Sequence, residues 1–367
     1  MSSRSLESLE VTGFAERLLA VIDEGRRTAT YKLALLLALI DCCITDSSET
    51  GAAPVVLTTR QIADRVAALY WPQVVRFPTD QGEIELRQIT NKNSAILNGL
   101  IALREVTGPV RTWEAAKSIR PMEAVASLDV VELTVARYPL VHLQVIDGTP
   151  QPFIYELGWS GTATMTKLRQ DSFGEVRLMP GAGDHLVRLA PLVRPLVELH
   201  WVRMVAGLNK LTVEEKELRD HLFGTARLAP PLSVRRGLPA AQSQPCFYCQ
   251  ERSPGAKYAI DHFIPWSRWP NNALENLVVA HVSCNSAKSA HLPGPGPLAE
   301  WVERLQTRQE EIEDLAARTQ WLSRRGTTVS LARAVFAHLP DGSPLWNGPG
   351  QVVESHRKDA LKLLADL

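Results

Sequence analysis

Four soft ligands stand in two short pairs, Cys246-x-x-Cys249 and His281-x-x-Cys284. Each pair presents two donor atoms from one tight knuckle. Together, three thiolates and one imidazole nitrogen meet the tetrahedral preference of Zn2+. No open coordination position is implied, so the spacing predicts a structural zinc. The intervening stretch is too short to bury much of a core. Zinc-binding energies of about 10–16 kcal/mol are ample to fold such a piece. The competing reading of Cys246 and Cys249, a redox pair, is disfavoured by the second knuckle. Hard donors lie between the knuckles. Asp261-His262 ends a predicted strand over 258–264, which Pro265 stops. Neighbours in a regular strand face opposite ways, so both reach one cleft only if the strand ends or bulges there. Asp261 then offers a hard oxygen to Mg2+ or a similar ion, and His262 a general base for a water. Asn276 begins a returning strand over 276–279. Asn285 opens a helix, and Asn285 and Lys288, at i and i+3, share one of its faces. That face can present an amide oxygen to a metal and an ammonium to a phosphate. Strand, strand and helix around one divalent ion suit in-line attack on a phosphodiester.

The elements that position these residues follow from periodicity and capping. Apolar spacing predicts helices over 12–26 and, after a Thr28 or Thr30 cap, to residue 44. A third starts near Thr59, where T-T-R-Q-I-A resembles the opening of a helix-turn-helix; a plain bundle helix is the simpler reading. Further helices are predicted over 86–106, over 112–137 in one or two pieces, over 183–208 with Pro191 and Pro195 kinking or breaking it, and over 213–223. Residues 141–157 read as a β-hairpin turning at Asp147-Gly148, and 174–179 as a short strand. A Pro-, Ser- and Gln-rich stretch reads as a linker over 231–244. Beyond 297, helices are predicted over 298–322, 328–339 and 352–366. The fold class is therefore mainly α with small β elements (α+β). The expected layout is a helical N-terminal region over 1–230, the linker, a metal-binding module over 245–297 and a helical buttress over 298–367.

The pattern C-x-x-C, D-H-x-x-P, N-L-V and C-N-x-x-K, over about residues 244–292, resembles the HNH endonucleases of the His-Me finger, or ββα-metal, group. The resemblance implies divalent-metal-dependent cleavage of DNA, leaving a 5′-phosphate and a 3′-hydroxyl. It implies His262 as the base, Asp261 and Asn285 as ligands of Mg2+ or Mn2+, and Asn276 as a brace for the loop that aims His262. Two departures stand out. The second zinc knuckle begins with His281 where the family usually has Cys, and the last metal ligand is Asn285 where the family often has His. Trp266 and Trp269 can stack on bases or cover the small core. The alternative to a nuclease is a zinc module that binds nucleic acid or protein without cutting.

Composition bounds the rest. The 367 residues carry 40 Lys plus Arg against 40 Asp plus Glu, so any phosphate-binding surface is local. The stretch from Gln244 to Leu292 holds Arg252, Lys257, Arg268 and Lys288 against Glu251, Asp261 and Glu275. One cation in excess holds a polyanion poorly, so Lys288 and Arg268 are read as local DNA contacts. Arg235, Arg236, Arg324, Arg325, a second subunit or a partner protein are further sources of charge. RNA is the alternative substrate. The layout is similar to bacterial restriction or phage-defence effectors, with a homodimer or partner proteins of such a complex as expected associates. Five cysteines without a disulfide framework point to a reducing, cytoplasmic setting. The longest apolar run, residues 33–44, is interrupted by Asp41 and too short for a bilayer.

Overall fold

The computed structural model describes residues 10–23, 28–90, 94–170, 173–223, 230–242, 245–253 and 255–367. The chain is mainly helical with small antiparallel sheets, and it divides into two compact units. Met1–Cys43 with Pro54–Ala226 form the first, and Ile44–Ala53 with Arg227–Leu367 the second.

The first unit runs α1 (Val11–Asp23), α2 (Tyr31–Thr45), β1 (Val56–Thr58), α3 (Thr59–Tyr70), β2 (Phe77–Thr79), β3 (Gly82–Ile84) and α4 (Ala95–Thr107). It continues with α5 (Trp113–Ile119), α6 (Pro121–Arg137), α7 (Pro139–His142), β4 (Val145–Ile146), β5 (Thr149–Pro150) and β6 (Tyr155–Leu157). It closes with α8 (Met165–Leu168), β7 (Glu175–Leu178), α9 (Ala182–Asn209) and α10 (Glu215–Phe223). Helix α2 is apolar all round from Leu33 to Ile40, and those residues are all buried, as such a stretch must be. Strands β1, β7 and β6 make a three-stranded antiparallel sheet in that order. Helix α3 opens with a capping box between Thr58 and Gln61. Its Arg60 pairs with Asp129 and Glu132 on α6, so the T-T-R-Q-I-A segment serves an intramolecular helix contact.

Several expectations are corrected here. Helix α4 starts only at Ala95, because Ser94 accepts from the Leu97 amide and caps it there; Gln88 is buried and its carbonyl accepts from Thr30. The hairpin expected over 141–157 shrinks to β4 and β5, whose turn Asp147-Gly148 has φ of 50° and 75°, the left-handed pair a two-residue turn needs. Helix α9 runs unbroken through Pro191 and Pro195.

The second unit comprises α11 (Leu232–Gly237), β8 (Tyr258–His262), β9 (Leu277–His281), α12 (Val282–Lys288), α13 (Pro295–Thr307), α14 (Gln309–Thr319), α15 (Arg325–Ala337), β10 (Pro344–Gly348), β11 (Gln351–Glu354) and α16 (Arg357–Leu364). The stretch read as a linker carries α11, with Val234 and Leu238 fully buried. From the same stretch, the Gln242 amide accepts from the Val279 N–H at 2.8 Å and donates to its carbonyl at 2.9 Å. It thereby completes the open edge of β9. The helix expected over 298–322 breaks at Arg308 into α13 and α14, and the β10–β11 hairpin precedes α16. Among the described residues no helix is long and apolar enough to cross a membrane.

Candidate active site and metal centre

Strands β8 and β9 pair antiparallel from Tyr258↔His281 to His262↔Leu277, and α12 follows β9 without a loop. The helix therefore begins at Val282, inside the second ligand pair, and Asn285 lies within it rather than opening it. This ββα arrangement brings the four soft ligands together. The ligand atoms of Cys246, Cys249, His281 and Cys284 all lie within 4.8 Å of one another. His281 Nδ1 is 3.3 Å from Cys249 Sγ and 4.0 Å from Cys284 Sγ. Donors about 2.0–2.3 Å from a tetrahedral zinc stand at comparable separations. His281 Nε2 meets the Tyr258 hydroxyl at 3.2 Å, which leaves Nδ1 to face the cluster. Three sulfurs and one imidazole nitrogen so disposed fit zinc.

The thiols differ. Burial pushes Cys246 up, but the backbone N–H groups of Cys249, His281 and Tyr248 outweigh it and hold this thiol below its ordinary value. Burial, then the charge of Cys246, pushes Cys284 up to about 12. Zinc loading thus has to displace the Cys284 proton.

Asp261 and His262 close β8 and both are buried. The Asp261 Oδ2 accepts from the Tyr248 hydroxyl at 2.6 Å and from the Lys288 ammonium at 2.9 Å. Lys288 also donates to the His262 carbonyl at 3.0 Å and sits 5.7 Å from the centre of the Tyr248 ring. It is 0% exposed. The expectation that Lys288 meets a phosphate is therefore corrected. Residues 284 and 288 share one face of α12, and the face that delivers Cys284 to the cluster carries Lys288 inward too. Asn285, next to Cys284, is half-buried, while Arg268 is exposed in the turn after Pro265. Trp269 is buried, and Trp266 sets its ring edge-on to His262 at 5.1 Å.

Asn276 is fully buried and ties the loop behind His262. Its Oδ1 accepts from the Ile264 amide at 2.8 Å, and its Nδ2 donates to the carbonyls of Ile264 at 3.1 Å and Asn271 at 3.0 Å. Three contacts escaped the sequence reading: Tyr248 on Asp261, Gln242 on β9, and Asn272, whose Oδ1 is 2.8 Å from His262 Nε2. Tyr248 lies inside the C-F-Y-C knuckle, and that position was the one signal available for it. The C-terminal helices complete the support. Trp301 stacks on Phe263 with centroids 4.9 Å apart and planes at 6°. Arg304, buried, donates to the carbonyls of Leu274, Glu275 and Ala241; burial lowers its guanidinium to about 10.

Residues 11–222 match the family described as a domain of unknown function (DUF8808), and residues 246–294 match the HNH endonuclease family. No curated protein and no solved structure matches the chain. The zinc-fitting cluster and the Asp261-His262 step both fall inside the second match. With the first match covering more than half of its length, the chain belongs to the DUF8808 family and carries an HNH endonuclease domain at its C-terminal side.

Proposed function

We propose that this protein is a metal-dependent endonuclease that hydrolyses DNA phosphodiester bonds. The observation that carries the reading is the Asp261-His262 step at the end of β8, beside an α12 that presents Asn285, on a hairpin stapled by a Cys3His cluster. In this reading His262 takes a proton from the attacking water. The water oxygen bonds to phosphorus, the bond from phosphorus to the 3′ oxygen breaks, and that oxygen leaves with the electron pair and is protonated by solvent. Both bonds that Asp261 makes go to Oδ2, so Oδ1 is the oxygen offered to a cation, with the Asn285 amide as the second donor. Hard, oxygen-only donors of this kind fit Mg2+ or Mn2+. Such an ion supplies charge stabilisation at the phosphate. Asn276 braces the loop behind His262, and exposed Arg268 contacts the DNA backbone. The zinc is structural.

The DUF8808 unit supplies targeting, dimerisation or attachment to partner proteins. A nuclease joined to such a unit suits a restriction or phage-defence effector, and we extend the proposal to that role in the cytoplasm. The test is cleavage of supercoiled plasmid by the full chain with Mg2+, Mn2+ or EDTA, wild type beside His262→Ala. Nicked or linear product that needs both the ion and His262 is the expected result. Undiminished cutting by His262→Ala overturns the assignment of the base. DNA binding without cutting under any ion selects the silent binding module instead. RNA in place of plasmid tests the substrate class.

A further inference from the structure

We propose that Asn272 is a positioning residue that fixes the ring orientation and tautomer of His262, and that the C-terminal helices exist in part to hold Asn272 there. This rests on the reading of His262 as the general base. Asn272 lies in the connection between β8 and β9, and its Oδ1 stands 2.8 Å from His262 Nε2. An amide oxygen only accepts, so Nε2 must carry the hydrogen. The neutral ring then keeps its lone pair on Nδ1. Nδ1 is buried in this structure, so the contact fixes which nitrogen carries the lone pair, and a general base works through its lone pair. The Trp266 ring, edge-on at 5.1 Å, confines the imidazole on another side.

Asn272 is itself held from outside the ββα unit. Its carbonyl accepts from the Trp321 indole N–H at 2.8 Å. Beside it, Asn271 Nδ2 donates to Thr328 Oγ1 at 3.0 Å, and Asn271 Oδ1 accepts from the Ala273 amide at 2.9 Å. The Leu274 amide donates to the Leu322 carbonyl at 2.9 Å. Trp321 and Leu322 lie between α14 and α15, and buried Thr328 lies in the first turn of α15. The loop thus hangs on the α14–α15 connection and the first turn of α15 at three points, 271, 272 and 274, around the residue that touches His262. A loop serving only as a link between strands needs no such tethering.

The test uses the full-length, zinc-loaded chain with 15N-labelled histidine, and reads the ring nitrogens of His262 by long-range proton–nitrogen correlation. The chain has nine histidines, and the His262 signal is the one lost in His262→Gln. Wild type is expected in the Nε2–H form. Asn272→Leu, similar in size but without an acceptor, should mix or switch the tautomer, and Asn272→Asp should restore it. In plasmid cleavage, Asn272→Leu should lower kcat by about 10-fold or more with KM unchanged, within the about 10²–10⁴-fold that a general base supplies. Asn272→Asp should recover most of that loss. An Nδ1–H ring in wild type, or an Asn272→Leu variant that keeps both tautomer and kcat, overturns the proposal. Zinc content reports folding. If Asn272→Leu fails to hold zinc, Trp321→Phe takes its place: it keeps the packing, drops the donor to Asn272, and should shift the ring toward a mixture, an unchanged ring counting against the proposal. If wild type cuts nothing, the nuclease reading fails, while the ring spectra still decide whether Asn272 sets the tautomer.

Discussion

The side chain that departs furthest from its sequence reading is Lys288. Its ammonium is committed to Asp261 and the His262 carbonyl in a fully buried position. Removing one partner of a buried ion pair leaves the other charge uncompensated and costs about 3–5 kcal/mol. Lys288→Ala is therefore expected to melt far below wild type in thermal denaturation. An unchanged melting point combined with weaker DNA binding would return Lys288 to the phosphate. Tyr248→Phe deletes the second donor on Asp261 Oδ2 while leaving Cys246 and Cys249 intact. Loss of a hydrogen bond to a charged group costs about 1.5–3 kcal/mol, so Tyr248→Phe should lose that much stability in chemical denaturation and retain its zinc by elemental analysis. Cys-x-x-Cys spacing made the ligands legible because two thiolates on one knuckle need only local geometry. The partners of Asp261 come from a zinc knuckle and from a helix 27 residues downstream, and no local pattern specifies that meeting.

Among the elements, β8, β9 and α12 depend on the Cys3His cluster for closure. Cys249→Ser, or prolonged chelation, should strip the zinc and expose these segments to rapid amide exchange. The helices of the first unit, with α2 as their buried centre, should keep their protection. Hydrogen exchange read by mass spectrometry checks both halves. Equal protection of β8 and β9 with and without metal would show that packing alone closes the hairpin. Strands β8 and β9 were legible as short apolar runs bounded by Pro265 and the second ligand pair, and the helices α1, α3 and α15 from caps and 3.6-residue spacing. The β10–β11 hairpin was not read, although Asn347-Gly348-Pro349-Gly350 between Leu345-Trp346 and Val352-Val353 carries a turn signal. Pro191 and Pro195 signal a kink or a break, and of the two the break does not occur: α9 passes through both, because tertiary packing of a long buried face outweighs a local backbone cost.

At the scale of the molecule, the second unit draws on a distant piece of chain, Ile44–Ala53. Ser47 donates to the Ser330 carbonyl at 3.0 Å. Gly51 has φ +76°, and a Cβ there would stand 2.5 Å from both the Ala337 Cβ and the Arg333 carbonyl oxygen. Gly51→Ala combines left-handed strain with a clash against the α15 backbone. Strain of this kind alone costs about 1–3 kcal/mol. The variant should lower the melting temperature of the second unit and, with it, zinc retention at elevated temperature. A melting curve indistinguishable from wild type would show that the segment is dispensable to that unit.

The sequence by itself determined the zinc ligand set, the position of the Asp261-His262 step and the mainly helical class. Each of these rests on spacing within one turn, one knuckle or one strand, where covalent geometry sets which side chains can meet. Only the tertiary structure decided that Val234, Leu238 and Gln242 pack into the second unit, that Lys288 turns inward to Asp261, and that Asn272 reaches His262 from a loop tethered to the α14–α15 connection and to α15. These are choices among faces and partners far apart in the chain. Burial settles them, because a charged or polar group taken out of water must find its counterpart wherever the fold supplies one.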